Sequence, residues 1–465
     1  MNLSRRDFIK ASFGSLAYIS ATATVPVWVA KSAHGLGVGD LDDRILVLLQ
    51  MGGGNDGLNT VIPYQDDRYY KARPTIGIAS EYHELGDGLN ALHPRMGDLK
   101  NWYDDGYMAL LQNVGYPNPN LSHFLSTDYY EFGASPGSLT VPDGRGWIAR
   151  FFDNACAGVN PEDIPALSML ALNTYELPNT LAGSDLYLPP RVSDLNEFTL
   201  PEGGGLLARY LAAFNRLNVP NSDLDYIQRV ENVVEATVEE FSQANATPDL
   251  REYPGDSLGS GLKNVSKLIR SGRNTKIYYC SQGGYDTHAN QTDGNTSYGE
   301  HANLLGDFNN SLNAFLSDMR DSGNLHKVLV LTFSEFGRRI DENGSMGTDH
   351  GGASAIMAFG GGVVGGVYGG QPDLSADALL RGNLAHKVDF RSVYSNVIKD
   401  WFGENPQAVF GADYNDPIFE IPAGMALAPF VNLNPGAGEG EGEGEGEGEG
   451  EGEGEGEVPV GCARP

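Results

Sequence analysis

Five short apolar runs constrain this chain more than any other feature, because each is apolar almost without interruption and each lies next to side chains suited to chemistry. Ile277 to Gln282 runs into Gly283-Gly284-Tyr285-Asp286-Thr287-His288, and Ile45 to Met51 runs into Gly53-Gly54-Asn55-Asp56-Gly57-Leu58-Asn59. Met108 to Val114 leads to Asn118-Pro119-Asn120-Leu121-Ser122-His123-Phe124, and Val328 to Phe333 leads to Ser334-Glu335-Phe336-Gly337-Arg338. Thr348-Asp349-His350-Gly351 stands just before the run Ala355 to Phe359. A strand wetted on one face alternates apolar and polar residues, whereas an unbroken apolar run is buried on both faces, as in a parallel sheet covered by helices. The expected fold is α/β, a doubly wound and mostly parallel sheet with helices on both faces. In such sheets loops and helix amino termini converge outside the carboxyl ends of the strands, so function is expected at that rim.

The segments between the runs supply the helices. Leu304, Leu305, Phe308, Leu312 and Phe315 recur at helical spacing within Tyr298 to Ser322, which predicts an amphipathic crossover. Helices are also expected over residues 92–103, from Ser122 or Asn120 as cap through Glu131, from Gly146, and from Asp389 towards Trp401; Leu167 to Leu172 reads as a further strand. Residues 194–272 turn helical and polar without a cluster of ligand-type side chains, and are expected as a helical insertion that shapes access or simply packs.

Both ends of the chain differ from this body. Residues 1–35 carry Ser4-Arg5-Arg6-Asp7-Phe8-Ile9-Lys10 followed by a moderately apolar, Ala- and Ser-rich stretch, the arrangement of a twin-arginine export signal, so a periplasmic or cell-surface location is expected. No other run is long and apolar enough to span a membrane. The α/β domain is expected over residues 44–432, and residues 435–465 as a solvated Gly-Glu spacer ending near Cys462, an attachment point to the envelope or a terminus without a role. That spacer holds ten carboxylates, so of the net charge of −30 about −20 belongs to the rest. An acidic surface without clustered Lys and Arg excludes nucleic acid as a partner. Cys156, Cys280 and Cys462 are too few for a disulfide framework, and no Cys-x-x-Cys pair is present. Cys280, inside an apolar run, is expected to be inert.

The rim thus offers Asp56, Asp286, His288, Glu335, Asp349 and His350 as metal ligands, with Ser122 and His123 beside them and His301 as a weaker candidate. Carboxylates and imidazoles suit a divalent ion, zinc first and calcium or magnesium as alternatives. Two ions would clamp both oxygens of an in-line displacement on phosphorus or sulfur. A serine at a helix amino terminus is placed to act as nucleophile or merely to cap, and Ser126 and Thr127 stand close by. In so acidic a chain, an anionic ester would be drawn in by the metal or by Arg338 and Arg339.

Taken in order, the export signal, Gly-Gly-Asn-Asp-Gly-Leu-Asn, Tyr-Pro-Asn-Pro-Asn-Leu-Ser-His-Phe, Tyr-Asp-Thr-His, Thr-Phe-Ser-Glu-Phe-Gly-Arg, Gly-Thr-Asp-His-Gly and Asp-Phe-Arg-Ser-Val-Tyr resemble the bacterial domain-of-unknown-function family 1501 from about residue 44 to residue 420. That family is grouped with the alkaline phosphatase and sulfatase superfamily. The resemblance implies that fold and a metal site, with Asp56 as the first-strand aspartate, Ser122 as nucleophile, and Asp286, His288 and His350 as ligands. One place departs from the superfamily pattern: Ser334-Glu335 stands where an Asp-His pair is found, so one imidazole is missing and the ions number one or two. The function this implies is an exported metal-dependent hydrolase of phosphate or sulfate esters, with a small-molecule or glycan ester as substrate, Ser122 and His123 in catalysis and Arg338 helping to bind the anion. The alternative is a non-catalytic envelope protein that keeps the fold.

Overall fold

Strand β1 (Ile45–Met51) lies at the centre of the molecule with parallel neighbours on both sides, and only Gln50 along it is partly exposed. The computed structural model describes residues 43–134, 144–159, 164–165, 167–187, 189–192, 195, 237–412, 414 and 427–432, together with the strand Ala23–Thr24. The expected export signal apart from Ala23–Thr24, most of the expected insertion and the Gly-Glu spacer lie outside the described residues.

Five more strands build the main sheet around β1: β2 (Met108–Gly115), β3 (Met169–Leu172), β4 (Ile277–Gln282), β5 (Val328–Phe333) and β6 (Ser354–Gly360). Their spatial order is β3, β4, β1, β5, β6, β2, with short strands at both edges. Pairing is parallel from β3 to β5, and β6 runs antiparallel to both β5 and β2. The expected fold class, doubly wound and mostly parallel, is the one formed. The reversal of β6 has a physical cause: no helix separates β5 from β6, and without a crossover a chain can only return antiparallel. The intervening residues stay at the rim as a small ribbon, Arg338–Glu342 against Thr348–His350.

Alternate side chains of each central strand enter two separate cores. Leu46 and Leu48 join Trp147, Phe151, Phe390 and Tyr394 on one face, whereas Val47 and Leu49 join Leu262, Val265, Phe308 and Phe315 on the other. The first face is covered by α2 (His123–Phe132), α3 (Trp147–Ala155) and α6 (Phe390–Asn396), the second by α1 (Gly97–Asp104), α4 (Ser257–Arg270) and α5 (Glu300–Asp321). Trp147 is fully buried and stacks on Tyr394 with ring centroids 4.3 Å apart. Truncating such a ring typically costs about 3–5 kcal/mol, which makes this pair an anchor of the first core.

One expectation about elements is corrected. The helix expected over 92–103 begins only at Gly97, because Ala91–Leu92 is drawn into a small sheet with Val61–Ile62 and His83–Glu84, and Pro94 follows directly. Within the region expected to be an insertion, α4 is part of the body: Leu258, Leu262, Val265, Leu268 and Ile269 are buried in the second core. Of the cysteines, Cys280 is a free, buried thiol and Cys156 is disulfide-bonded. No helix among the described residues is long and apolar enough to cross a membrane.

Two buried histidines give the domain an acid limit. His93 and His301 meet edge to face with centroids 6.0 Å apart, and burial pushes them down to about 3 and about 4 respectively. Their unfolded value is about 6.5, so each is neutral in the folded chain and binds a proton on unfolding at mildly acid pH. The stability this represents is fully present above pH ~6.5 and is lost as the pH falls towards the folded values. Urea titrations between pH 7 and 5 are expected to show it, at about 2 kcal/mol per histidine by pH 5. His93→Gln should remove about 1.4 kcal/mol per pH unit from that slope; an unchanged slope would refute the assignment.

Candidate metal centre

The chain's topology brings four side chains to one lip of the sheet. Asp286 and His288 follow the carboxyl end of β4, and His123 opens α2, which the loop after β2 leads into. His350 precedes β6, and because β6 runs backwards its amino end lies at the same lip as the carboxyl ends of its neighbours. Close approach of these loops requires glycine at two places. A Cβ on Gly53, whose φ is +120°, would lie 2.5 Å from the Asp286 nitrogen, and one on Gly347 would lie 2.3 Å from the His288 carbonyl carbon.

His350 Nε2 lies 2.8 Å from His288 Nε2 and 3.2 Å from Asp286 Oδ1, and His288 Nε2 lies 3.0 Å from that same oxygen. His123 Nε2 approaches Asp286 Oδ2 to 3.5 Å, and ligand atoms of His123, Asp286 and His350 all fall within 4.8 Å of one another. Around a tetrahedral zinc with bonds of ~2.1 Å, ligand atoms stand roughly 3.4 Å apart, so the spacing fits.

Protons decide what this cluster can hold. His350 Nδ1 donates to the Leu121 carbonyl at 2.8 Å, and His123 Nδ1 donates to Glu335 Oε1 at 2.7 Å. The remaining partner is Asp349, whose Oδ1 lies 3.5 Å from His288 Nδ1. With the Nδ1 protons so placed, three Nε2 lone pairs and a carboxylate face one another. The buried His123 Nε2 makes no hydrogen bond at all. Converging lone pairs repel unless a cation lies between them, so the donor set fits a divalent ion.

Electrostatics around the cluster agree with that assignment. The hydrogen bond that His123 donates to Glu335 raises His123 above the usual imidazole range against the opposing effect of burial. Burial pushes Asp286 up, but the Arg338 guanidinium, His350 and His288 outweigh it and hold the carboxyl below its ordinary value. Phe336 packs against the rings of His123 and His350 at 4.8 and 4.6 Å and forms a dry wall on one side. Asp286 and His288 stay nearly half exposed, which leaves the other side open.

Not all expected site residues join this group. Asp56 is buried and turned to Arg73 and Gln291, at 2.7 and 2.6 Å. Glu335, expected as a ligand, lies behind His123 and also accepts the Gly53 N–H at 2.9 Å. Asp349 likewise lies behind His288, and Asn343 donates to it at 3.2 Å. Arg338, expected to bind an anion, is instead fully buried beneath the cluster. Its donors go to the carbonyls of Gly53, Gly54, Tyr285 and Thr348 and to Asp286 Oδ1. His301 is buried against Asn55 at 2.9 Å. Ser122 is the cap residue of α2, and its side chain makes no cap hydrogen bond. Ser126 is closed off between the Tyr116 hydroxyl and the Asn120 carbonyl. Sequence reasoning missed Gln291, three residues after His288, and the Leu121 carbonyl; a main-chain acceptor has no sequence signal.

Residues 244–394, which carry Asp286, His288, Glu335, Asp349 and His350, match the model of the family described as protein of unknown function DUF1501. Over this stretch the chain is similar to DUF1501. Asp56, Ser122 and His123 precede the matched residues. Comparison with curated proteins gives no match. Among solved structures, the chain is similar to the lipoteichoic acid synthase from Listeria monocytogenes, at 10% identity and a TM-score of 0.30 over 74% of this chain and 70% of that one. It is similar to the C-terminal periplasmic domain of an Escherichia coli protein in complex with zinc, at 10% identity and a TM-score of 0.32 over 68% and 72%. A Pseudoalteromonas sulfatase is similar at 10% identity and a TM-score of 0.31 over 74% and 70%. No residue roles are taken from likeness at this level.

Proposed function

We propose that the protein is an exported hydrolase of phosphate or sulfate esters that depends on a divalent metal, zinc first, held by His123, Asp286, His288 and His350. The observation that carries this reading is the convergence of the Nε2 atoms of His123, His288 and His350 on the Asp286 carboxylate, at 3.5, 3.0 and 3.2 Å, each imidazole having an acceptor near its other nitrogen. When bound, the ion supplies Lewis-acid polarisation of the ester and lowers the cost of deprotonating a hydroxyl.

The chain's own groups do the rest. Ser122 stands at the amino terminus of α2 beside His123, where unpaired N–H groups and the helix dipole favour an anion. Its hydroxyl gives its proton to water as Oγ forms the new bond to phosphorus or sulfur and the bond to the ester oxygen breaks, and the leaving alkoxide takes a proton from water. Water then cleaves the serine ester and restores the hydroxyl. Arg338 orients Asp286 and offsets its charge; it does not touch the substrate. Glu335, Asp349 and the Leu121 carbonyl fix the imidazole orientations. Export through the twin-arginine route to the periplasm or cell surface belongs to the same proposal, as does attachment through the tail.

A second reading, a metal-bearing envelope protein without catalysis, draws support from Arg338, whose engagement in the interior takes away the nearest cation that an anionic substrate would meet. The test is metal analysis of the purified chain followed by a screen of aryl phosphate and sulfate esters. Metal-dependent turnover that falls by about 10²-fold or more in Ser122→Ala supports the hydrolase. A metal-loaded chain without turnover leaves only the second reading, and full activity in Ser122→Ala assigns the nucleophile elsewhere.

A further inference from the structure

The loops that carry the metal-facing side chains are far apart in sequence, and one buried amide joins them. Gln291 Oε1 accepts from Thr287 Oγ1 at 3.1 Å and from Thr348 Oγ1 at 2.9 Å, while its Nε2 donates to Asp56 Oδ2 at 2.6 Å. Thr287 lies between Asp286 and His288, and Thr348 opens the strand that carries Asp349 and His350. Main-chain bonds run alongside, from Thr348 N–H to the Thr287 carbonyl at 3.2 Å and from Gln291 N–H to the Met346 carbonyl at 2.9 Å.

A glutamine amide has two orientations of nearly equal shape, and the partners decide between them. Here Asp56 breaks the tie: a carboxylate accepts from the NH2 end and repels the carbonyl end. Arg73 Nη1 holds Asp56 at 2.7 Å and donates through its other nitrogens to the carbonyls of Arg339 and Ile340, beneath the ribbon that ends in His350. All three side chains are buried, where an unmatched polar group is costly and a satisfied network is rigid. The charge on Asp56 therefore forces Gln291 Oε1 towards the two threonines and makes both hydroxyls donors.

We infer that Gln291 is a positioning residue for the metal centre, holding Asp286-Thr287-His288 against Thr348-Asp349-His350, with Asp56 and Arg73 setting the direction of its amide. This rests on the reading of the cluster as a metal site. It also gives Asp56 a role different from ligation.

The test is zinc affinity of the full chain, measured by competition with a chromophoric chelator, together with unfolding midpoints of the metal-free proteins. Gln291→Met and the paired Thr287→Val, Thr348→Val variant are expected to bind zinc about 10–100-fold more weakly. The pair Thr287→Ser, Thr348→Ser keeps both hydroxyls and should return affinity to near the wild-type value. A merely structural role would lower the metal-free midpoint in these variants and leave the zinc affinity of the folded protein unchanged. Zinc affinity within about twofold of wild type in Gln291→Met overturns the inference; should that variant fail to fold, the valine pair, which keeps the side-chain shape, decides. Wild type that binds no zinc removes the metal reading and the positioning role together, an outcome distinct from a wild type that binds and variants that bind equally well.

Discussion

Substitution of His350 by alanine is expected to strip the protein of stoichiometric zinc while leaving the domain folded. His350 stands at the middle of the cluster: its Nε2 faces both His288 and Asp286, and its ring packs on Phe336 and His123. Structural zinc sites with four ligands hold the ion with roughly 10–16 kcal/mol, so one ligand represents about 3 kcal/mol and its loss weakens binding on the order of a hundredfold or more. The side chain is about a fifth exposed and belongs to a short rim ribbon, so the two cores should not depend on it. Asp286→Asn makes a less clean test, because Asp286 is also the counter-charge of the buried Arg338. The measurement is zinc per chain after dialysis, checked against the zinc-induced rise in the unfolding midpoint. A His350→Ala protein that retains zinc as tightly as wild type would place the ion elsewhere.

How far this site could be read from the sequence follows from what a strand pattern carries. Unbroken apolar runs located β1, β2, β4 and β5 almost to the residue, since a strand buried on both faces tolerates no other composition. That Asp286, His288 and His350 meet was legible because strand ends fix where a loop begins. The direction in which a charged side chain then turns was not. Asp56 shares the rim grammar of Asp286, yet Arg73, seventeen positions on, takes its carboxylate into the interior. Arg338 and Glu335 both sit after β5, and their polar atoms are spent on backbone groups and on other site residues contributed by distant segments. No local pattern records such partners. The over-extended helix before α1 has a plainer cause, a two-residue strand too short to leave a period.

The largest effect on stability is expected from Arg73→Met. Arg73 and Asp56 form an ion pair at 2.7 Å in which neither side chain is exposed by more than 1%. The guanidinium also donates to Asn59 Oδ1 at 2.6 Å and to the Ile340 carbonyl at 2.8 Å, and it lies over the Tyr69 ring at 5.7 Å. Burial opposes the charge on Asp56, and the Arg73 charge and hydrogen bond reverse that, so its carboxyl is held below the ordinary range. Its Oδ1 has no hydrogen bond even in the intact pair. Without Arg73 the carboxylate keeps Gln291 alone, in a site that water does not reach. Breaking such a pair from one side typically costs about 3–5 kcal/mol, a large share of the ~5–15 kcal/mol that holds a domain together. The double variant Asp56→Asn, Arg73→Met removes both charges of the pair and should regain part of that loss, so the two substitutions are expected to be markedly non-additive in urea unfolding at pH 7. Additive losses, or a loss below about 1 kcal/mol in Arg73→Met, would mean that the pair is solvated and that the amide of Gln291 takes its direction from something else.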